Sequence, residues 1–260
     1  MVEKILPYDR SIVTQETYFW CGPASTQNVL NSRGVNASEL EISRKTEALE
    51  GNAGWDDQDG TDSISQITTV LNEYLGGGYV TRMMPSDPPT AAQKDQLWDD
   101  LVRSINGGYG VVANIVAPPS NYPRGVKGST SPAYSGGTVF HYVALMGYDD
   151  AGSRAVWVAD SGFRPFGYWC SFDQLCSLIP PKGYTAKPVG SATVESDADT
   201  KAITDFIAAY LGPLSSDVKD IREQLCGAGC RDAGQYGGWK QLDQMTVVDA
   251  LGDLRDRMVK

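Results

Sequence analysis

The chain has 260 residues, 41% hydrophobic and 21% charged, so one large domain, or one domain with a small appendage, can bury a core without disulfide support. Its 22 basic and 32 acidic residues give a net charge of −10, which argues against nucleic acid and anionic lipid as partners, since both are bound through neutralising Lys and Arg. No apolar run reaches the ~20 residues of a membrane helix, and Met1 to Arg10 holds no stretch apolar enough for a secretory signal, so a soluble protein made in a cytoplasm is expected.

In chain order, Gly22 to Ser32 predicts a short helix with Cys21 at its N-terminal end and Ala24, Val29 and Leu30 available to a core. Ser38 and Glu41 form a capping-box pattern for a second helix ending near Leu49. Glu50 to Thr61 is a Gly- and Asp-rich loop. Asp56, Asp57, Asp59 and Asp62 suggest calcium there, but the spacing departs from an EF-hand and no glutamate closes it, so a solvated loop without metal is expected. Asp62 to Leu75 carries Ile64, Ile67, Val70, Leu71 and Tyr74 at helical spacing, and Thr90 to Ile105 repeats the pattern.

The texture then changes. Gly110 to Ala117 is a β-branched, buried-strand run. Pro118 to Thr138 is a long Pro-, Gly- and Ser-rich loop, of a length usually functional or disordered. Phe140 to Tyr148 and Ala155 to Asp160 predict a hairpin across the turn Asp149 to Arg154. Tyr168 to Cys170 predicts another strand, and Ser171 caps a helix from Phe172 to Leu178. Helices first and antiparallel strands second define an α+β class. Pro180 to Thr200 reads as a linker, followed by helical patterns at Lys201 to Leu211, Ser215 to Leu225 and Thr246 to Val259. The expected division is a domain over 1–185, a linker over 186–200 and a small helical region over 201–260.

Cys170/Cys176 and Cys226/Cys230 fall into close pairs that read first as small buried hydrophobes and second as local disulfides; neither has zinc-site spacing. Cys21 stands alone. At a helix N-terminus, unpaired N–H groups and the dipole favour its thiolate, while Gly22 and Pro23 suit the tight turn and first helical position. Attack on an amide would need two oxyanion donors, for which the Cys21 N–H and the Gln15 side chain are candidates. A base with a near-neutral pKa is also required, and His141 is the single histidine. Asp160, at the end of the partner strand of the hairpin, is the better candidate to orient His141; Asp149 and Asp150 lie at the hairpin's far end. Trp55, Tyr109, Tyr122, Tyr134 and Phe163 could line a cleft, and of these the loop residues Tyr122 and Tyr134 are the substrate-binding candidates.

Gln15, Cys21-Gly22-Pro23-Ala24, His141 to Asp149 with its Gly147-Tyr148, and Ala159-Asp160-Ser161 together resemble the C39 cysteine peptidases of the papain-like superfamily, over roughly Ile5 to Pro180. Gly60-Thr61-Asp62 before a helix fits the same pattern. Pro7 to Arg10 and Trp20 to Ala24 are more particularly similar to the C39-like peptidase modules of lysin A endolysins from phages of mycobacteria and related actinobacteria. The resemblance implies a papain-like fold and a Cys21, His141 and Asp160 triad aided by Gln15, with peptide stems or cross-links of bacterial peptidoglycan as substrate. It requires no metal or organic cofactor. It further implies a separate glycosidase lysin and a holin as partners, with residence in the host cytoplasm before lysis and action at the cell wall after holin-mediated release. Leader-peptide processing is the competing enzymatic reading, and a noncatalytic wall-binding or virion protein the competing class. Intact Gln15, Cys21, His141 and Asp160 speak against decay to a binding module.

Overall fold

The apolar spacing of the first half folds into α1 (Cys21–Asn31), α2 (Glu39–Glu50), α3 (Ile64–Leu75) and α4 (Ala91–Asn106). The computed structural model describes residues 2–12, 14–50, 60–189, 218–219, 221–227, 230 and 237–258. α3 and α4 begin just after the start of their apolar patterns because Ser63 and Thr90 are N-caps, each closing a capping box with Gln66 and Gln93. The Asp56, Asp57 and Asp59 loop, Trp55 and the helical pattern at Lys201 to Leu211 lie outside the described residues.

The strands are β1 (Glu3–Ile5), β2 (Val80–Met83), β3 (Val111–Ala117), β4 (Gly125–Val126), β5 (Val139–Asp149), β6 (Ala155–Ala159), β7 (Gly167–Ser171) and β8 (Gly183–Ala186). They form one antiparallel sheet in the order β2-β8-β3-β5-β6-β7-β4, with β1 pairing the far end of β5. Helices preceding an antiparallel sheet is the α+β arrangement expected. No described helix is long and apolar enough to cross a membrane.

Two sequence expectations are corrected, and two strands without a sequence signal are added. The strand β8 falls where the chain reads as linker: it lies between β2 and β3 with all four residues buried. Pro180, Pro181 and Gly183 punctuate the sequence there, and the pairing that makes a strand comes from residues some 70 to 100 positions earlier. The Pro118 to Thr138 stretch is structured, with β4 pairing β7 through Gly125–Cys170 and Val126–Trp169. The strands β1 and β2 carry no alternation that would reveal them, and each is specified by its partner.

The strand β1 explains one motif glycine. It runs against β5 at Gly147, where an added Cβ would lie 2.5 Å from the Lys4 carbonyl oxygen. The next residue, Tyr148, donates its hydroxyl to Asn106 at 3.0 Å and packs edge-on against Trp98 of α4.

Helix α1 crosses the buried centre of the sheet, where Ser25 Oγ donates to the Tyr142 carbonyl at 3.0 Å. This bond sits one turn beyond Cys21 and one residue beyond His141. Two further glycines set the entry to α1. An added Cβ on Gly22 would come within 2.6 Å of Thr61 Oγ1. At Gly60, φ is +87° and a Cβ would stand 2.5 Å from the Phe19 carbonyl oxygen.

The chain divides into two units, Met1–Gly190 and Ser191–Lys260. In the second, residues 221–226 are helical, Trp239 donates its indole N–H to the Gln224 carbonyl, and the helix Val247–Met258 is capped by Thr246, whose Oγ1 accepts the Asp249 N–H at 3.1 Å.

Replacing Gly60 by alanine combines a left-handed backbone with a backbone clash. Gly60→Ala is expected to destabilise the first unit by about 2 kcal/mol, read as a lower urea midpoint with an unchanged m-value.

Candidate active site

Cys21 is the first residue of α1, half-buried, and its N–H belongs to the first turn, where no intrahelical acceptor exists. His141 is the third residue of β5, 4% exposed, opposite Ile115 of β3. Asp160 follows the last residue of β6 and is fully buried. The packing of α1 on β5 and the β5–β6 hairpin brings the three together. Asp149 and Asp150 sit at the other end of the hairpin, where Asp149 pairs with Lys127 and Asp150 accepts the Val2 N–H.

His141 Nε2 lies 3.0 Å from Asp160 Oδ1, so its Nδ1 is left for the thiol, with which the ring is hydrogen-bonded. Asp160 is held by four further donors: the Gly162 and Phe163 N–H groups reach Oδ1, each at 3.1 Å, and the Tyr134 and Tyr168 hydroxyls reach Oδ2 at 2.8 and 3.3 Å. Phe163 packs edge-on to the imidazole, 5.5 Å between centroids, and Tyr134 stacks on Phe163 at 3.8 Å. These rings keep water from the His141–Asp160 bond, and a low local dielectric strengthens it.

Electrostatically the arrangement favours a thiolate–imidazolium pair. Burial pushes the Cys21 thiol up, but the hydrogen bond and charge of His141, with backbone hydrogen bonds from Tyr142 and Gly22, outweigh it and hold the pKa below the ordinary thiol value. Burial pushes His141 down, and the Asp160 charge and hydrogen bond, with smaller contributions from Cys21, override it and raise the imidazole to about 10. Cys170 and Cys176, free thiols in apolar surroundings, are driven by burial in the opposite direction, to about 12. Cys226 and Cys230 are also free, with Cys230 Sγ donating to the Cys226 carbonyl.

Gln15 lies beside Cys21 and His141 in a cleft of about 450 Å³. Its side chain is pinned: Oε1 accepts from Ser161 Oγ at 3.0 Å and Nε2 donates to the Thr17 carbonyl at 2.8 Å. One N–H of Nε2 remains for an oxyanion. Gly162 lies close under the imidazole, where a Cβ would stand 3.0 Å from His141 Cε1.

The substrate-binding candidates are placed differently. Tyr134 is buried and spends its hydroxyl on Asp160. Tyr122 donates to the Gly137 carbonyl at 2.6 Å. Neither lines the cleft, whose aromatic wall is made by Tyr18, Phe140, Phe163 and Phe166. Loop tyrosines read as cleft candidates because a loop carries no periodicity from which burial is legible. The roles of Tyr134 and Tyr168 as holders of Asp160 have no local signal, being contacts across 26 and 8 residues. Glu39 was missed for the same reason. It is buried in the first turn of α2 and accepts the Glu16 N–H at 2.9 Å, next to Gln15.

A helix-borne thiol, a strand-borne imidazole and a buried carboxylate thus meet at one open cleft. The model of the Peptidase_C39 like family matches residues 8–169, and the chain belongs to that family of C39-like cysteine peptidases. The model of the Rv3766 C-terminal domain matches residues 195–260. Among solved structures, the chain is similar to a protein described as a C39-like peptidase from Bacillus anthracis, with 13% identity over 74% of this chain and 100% of that one and a TM-score of 0.46. It is also similar to a double glycine motif protease from an AMS/PCAT transporter, solved with its leader peptide (11% identity, 73% of this chain, 100% of that one, TM-score 0.39). A third is digestive procathepsin L 3 of Tenebrio molitor larval midgut (14% identity, 73% of this chain, 70% of that one, TM-score 0.41). No curated protein matches the chain.

Glu39 offers a test of how the cleft wall is anchored. Burial and the Glu16 charge raise its carboxyl to about 7, against the pull of the Glu16 N–H. A raised folded-state pKa contributes stability that is complete below the ordinary glutamate value and is lost as pH rises through about 7. Glu39→Gln keeps an acceptor for Glu16 without titrating. Its melting temperature relative to wild type is expected to climb between about pH 5 and about pH 7.5 and then level, as thermal melts across that range would record.

Proposed function

We propose that this chain is a phage endolysin component, a cysteine peptidase that hydrolyses peptide bonds of bacterial peptidoglycan through a thioester. The observation that carries the amide chemistry is the Cys21, His141 and Asp160 constellation beside the pinned Gln15 amide in one open cleft. The wall substrate and phage origin are supported by the likeness of Pro7 to Arg10 and Trp20 to Ala24 to endolysin modules. On this reading a holin delivers the protein from the host cytoplasm to the wall, and a separate glycosidase cuts the sugar strands.

In the mechanism, His141 Nδ1 takes the Cys21 proton and the thiolate attacks the peptide carbonyl carbon, forming a C–S bond. The oxyanion is held by the free Gln15 N–H and the Cys21 N–H. The imidazolium, kept in place by Asp160, donates its proton to the leaving amine as the C–N bond breaks. Neutral His141 then activates water, which hydrolyses the thioester and returns the thiol. The protein's part is positioning and charge: a lowered thiol beside a raised imidazole favours transfer of the Cys21 proton to His141.

Two measurements test this. In kcat/KM against pH on a cleaved peptide, the acidic limb is expected below the ordinary thiol value and the alkaline limb near 10, because the imidazolium must keep its proton. In Asp160→Asn the alkaline limb is expected to move to lower pH, since the largest influence raising His141 is gone.

The second compares wild type and Cys21→Ala on purified actinobacterial peptidoglycan, counting new amino and reducing ends by mass spectrometry. New amines from wild type, falling about 10³-fold or more in the variant, are expected. Reducing ends, or amines that persist in Cys21→Ala, would overturn the assignment. Cleavage of free peptides without attack on the wall would keep the peptidase and discard the lysin.

A further inference from the structure

Apart from the reacting pair, the described part of the cleft wall carries one charge. Among the described residues that line it, Glu16 is the only carboxylate, and none is Lys or Arg. Glu16 directly follows Gln15, and its backbone is held from both sides: Gln15 N–H donates to the Ser161 carbonyl at 3.1 Å, and the Glu16 N–H donates to Glu39 Oε2. The Glu16 side chain itself is exposed to the cleft. Behind it stands Glu39, close enough for the two carboxyl charges to act on each other. The chain's net charge of −10 adds to the negative potential of Glu16 at that wall. Around the same cleft lie Tyr18, 83% exposed, and Phe140, 65% exposed. Rings of this kind accept the aliphatic stem of a long cationic side chain while its head reaches a carboxylate.

We propose that Glu16 is a specificity-determining residue of this cleft, selecting peptides that carry a cationic side chain beside the scissile amide on the Gln15 side. The proposal rests on reading the cleft as a peptidase active site. Glu39 acts through Glu16, as a positioning residue that fixes its backbone.

The test uses the full chain and blocked hexapeptides in which each position in turn is lysine, norleucine or glutamate. Wild type is expected to favour lysine over norleucine at one position by about fivefold in kcat/KM, carried by KM and weakened by salt. Glu16→Gln should lose the preference, and Glu16→Lys should turn it toward glutamate. Equal use of the three side chains, or a lysine preference that survives in Glu16→Gln, overturns the proposal while leaving the peptidase reading intact. Retention of the same peptides on immobilised Cys21→Ala and on Cys21→Ala/Glu16→Gln separates recognition from turnover. If wild type cleaves nothing, lysine-dependent retention that vanishes with Glu16 upholds the specificity assignment and sinks the peptidase one. Retention without charge preference sinks the specificity assignment.

Discussion

The contact between α1 and β5 is the constraint on which the site depends. Residues more than a hundred positions apart meet where Ser25 bonds to the Tyr142 carbonyl, and the same packing sets the Cys21 thiol against the His141 ring. Because α1 begins at Cys21, the thiol is placed at the helix end where N–H groups are unpaired. The entry to that helix is equally confined, by Thr61 packed where a Gly22 side chain would be and by Gly60 closed against the Phe19 carbonyl. The glycine–threonine motif ahead of α3 therefore helps place Cys21, although about forty residues separate them in the chain.

Charge is managed by burial with full hydrogen bonding. A carboxylate as enclosed as Asp160 is costly to ionise unless its oxygens are satisfied, and here five donors do so. Phe163 and Tyr134 close over the imidazole, so the Asp160 charge acts on His141 with little solvent screening. The same burial that pushes Cys170 and Cys176 up is overcome at Cys21 because a cation lies beside it. Three buried or half-buried thiols thus have their pKa values moved in opposite directions by their neighbours.

The motif residues have separate physical duties. Gly147 admits β1 to the edge of β5, and Tyr148 ties that strand to α4. Ser161 holds the Gln15 amide by its oxygen, so the Asp160-Ser161 pair fixes both the imidazole and the Gln15 side chain. Gly162 leaves room for the ring above it. The cleft that results is walled by aromatic rings and by Glu16, on a segment anchored at both ends.

Much of this was legible from the chain alone, because local signals reflect local physics. Apolar spacing and capping residues marked α1 to α4, β-branched runs and a turn marked β3 and the β5–β6 hairpin, and the order Gln15, Cys21, His141, Asp160 pointed to one chemistry. The tertiary structure alone decided what depends on distant partners. It made a strand of Gly183–Ala186 out of an apparent linker, since pairing with β2 and β3 outweighs the breaking effect of the prolines before it. It turned Tyr134 from a candidate substrate contact into a support for Asp160, kept Phe163 in the cleft wall where the sequence allowed it, and added Phe166 and Glu16. Periodicity records which side of an element faces the core, but not which buried group lies opposite, and that identity sets hydrogen bonding and pKa.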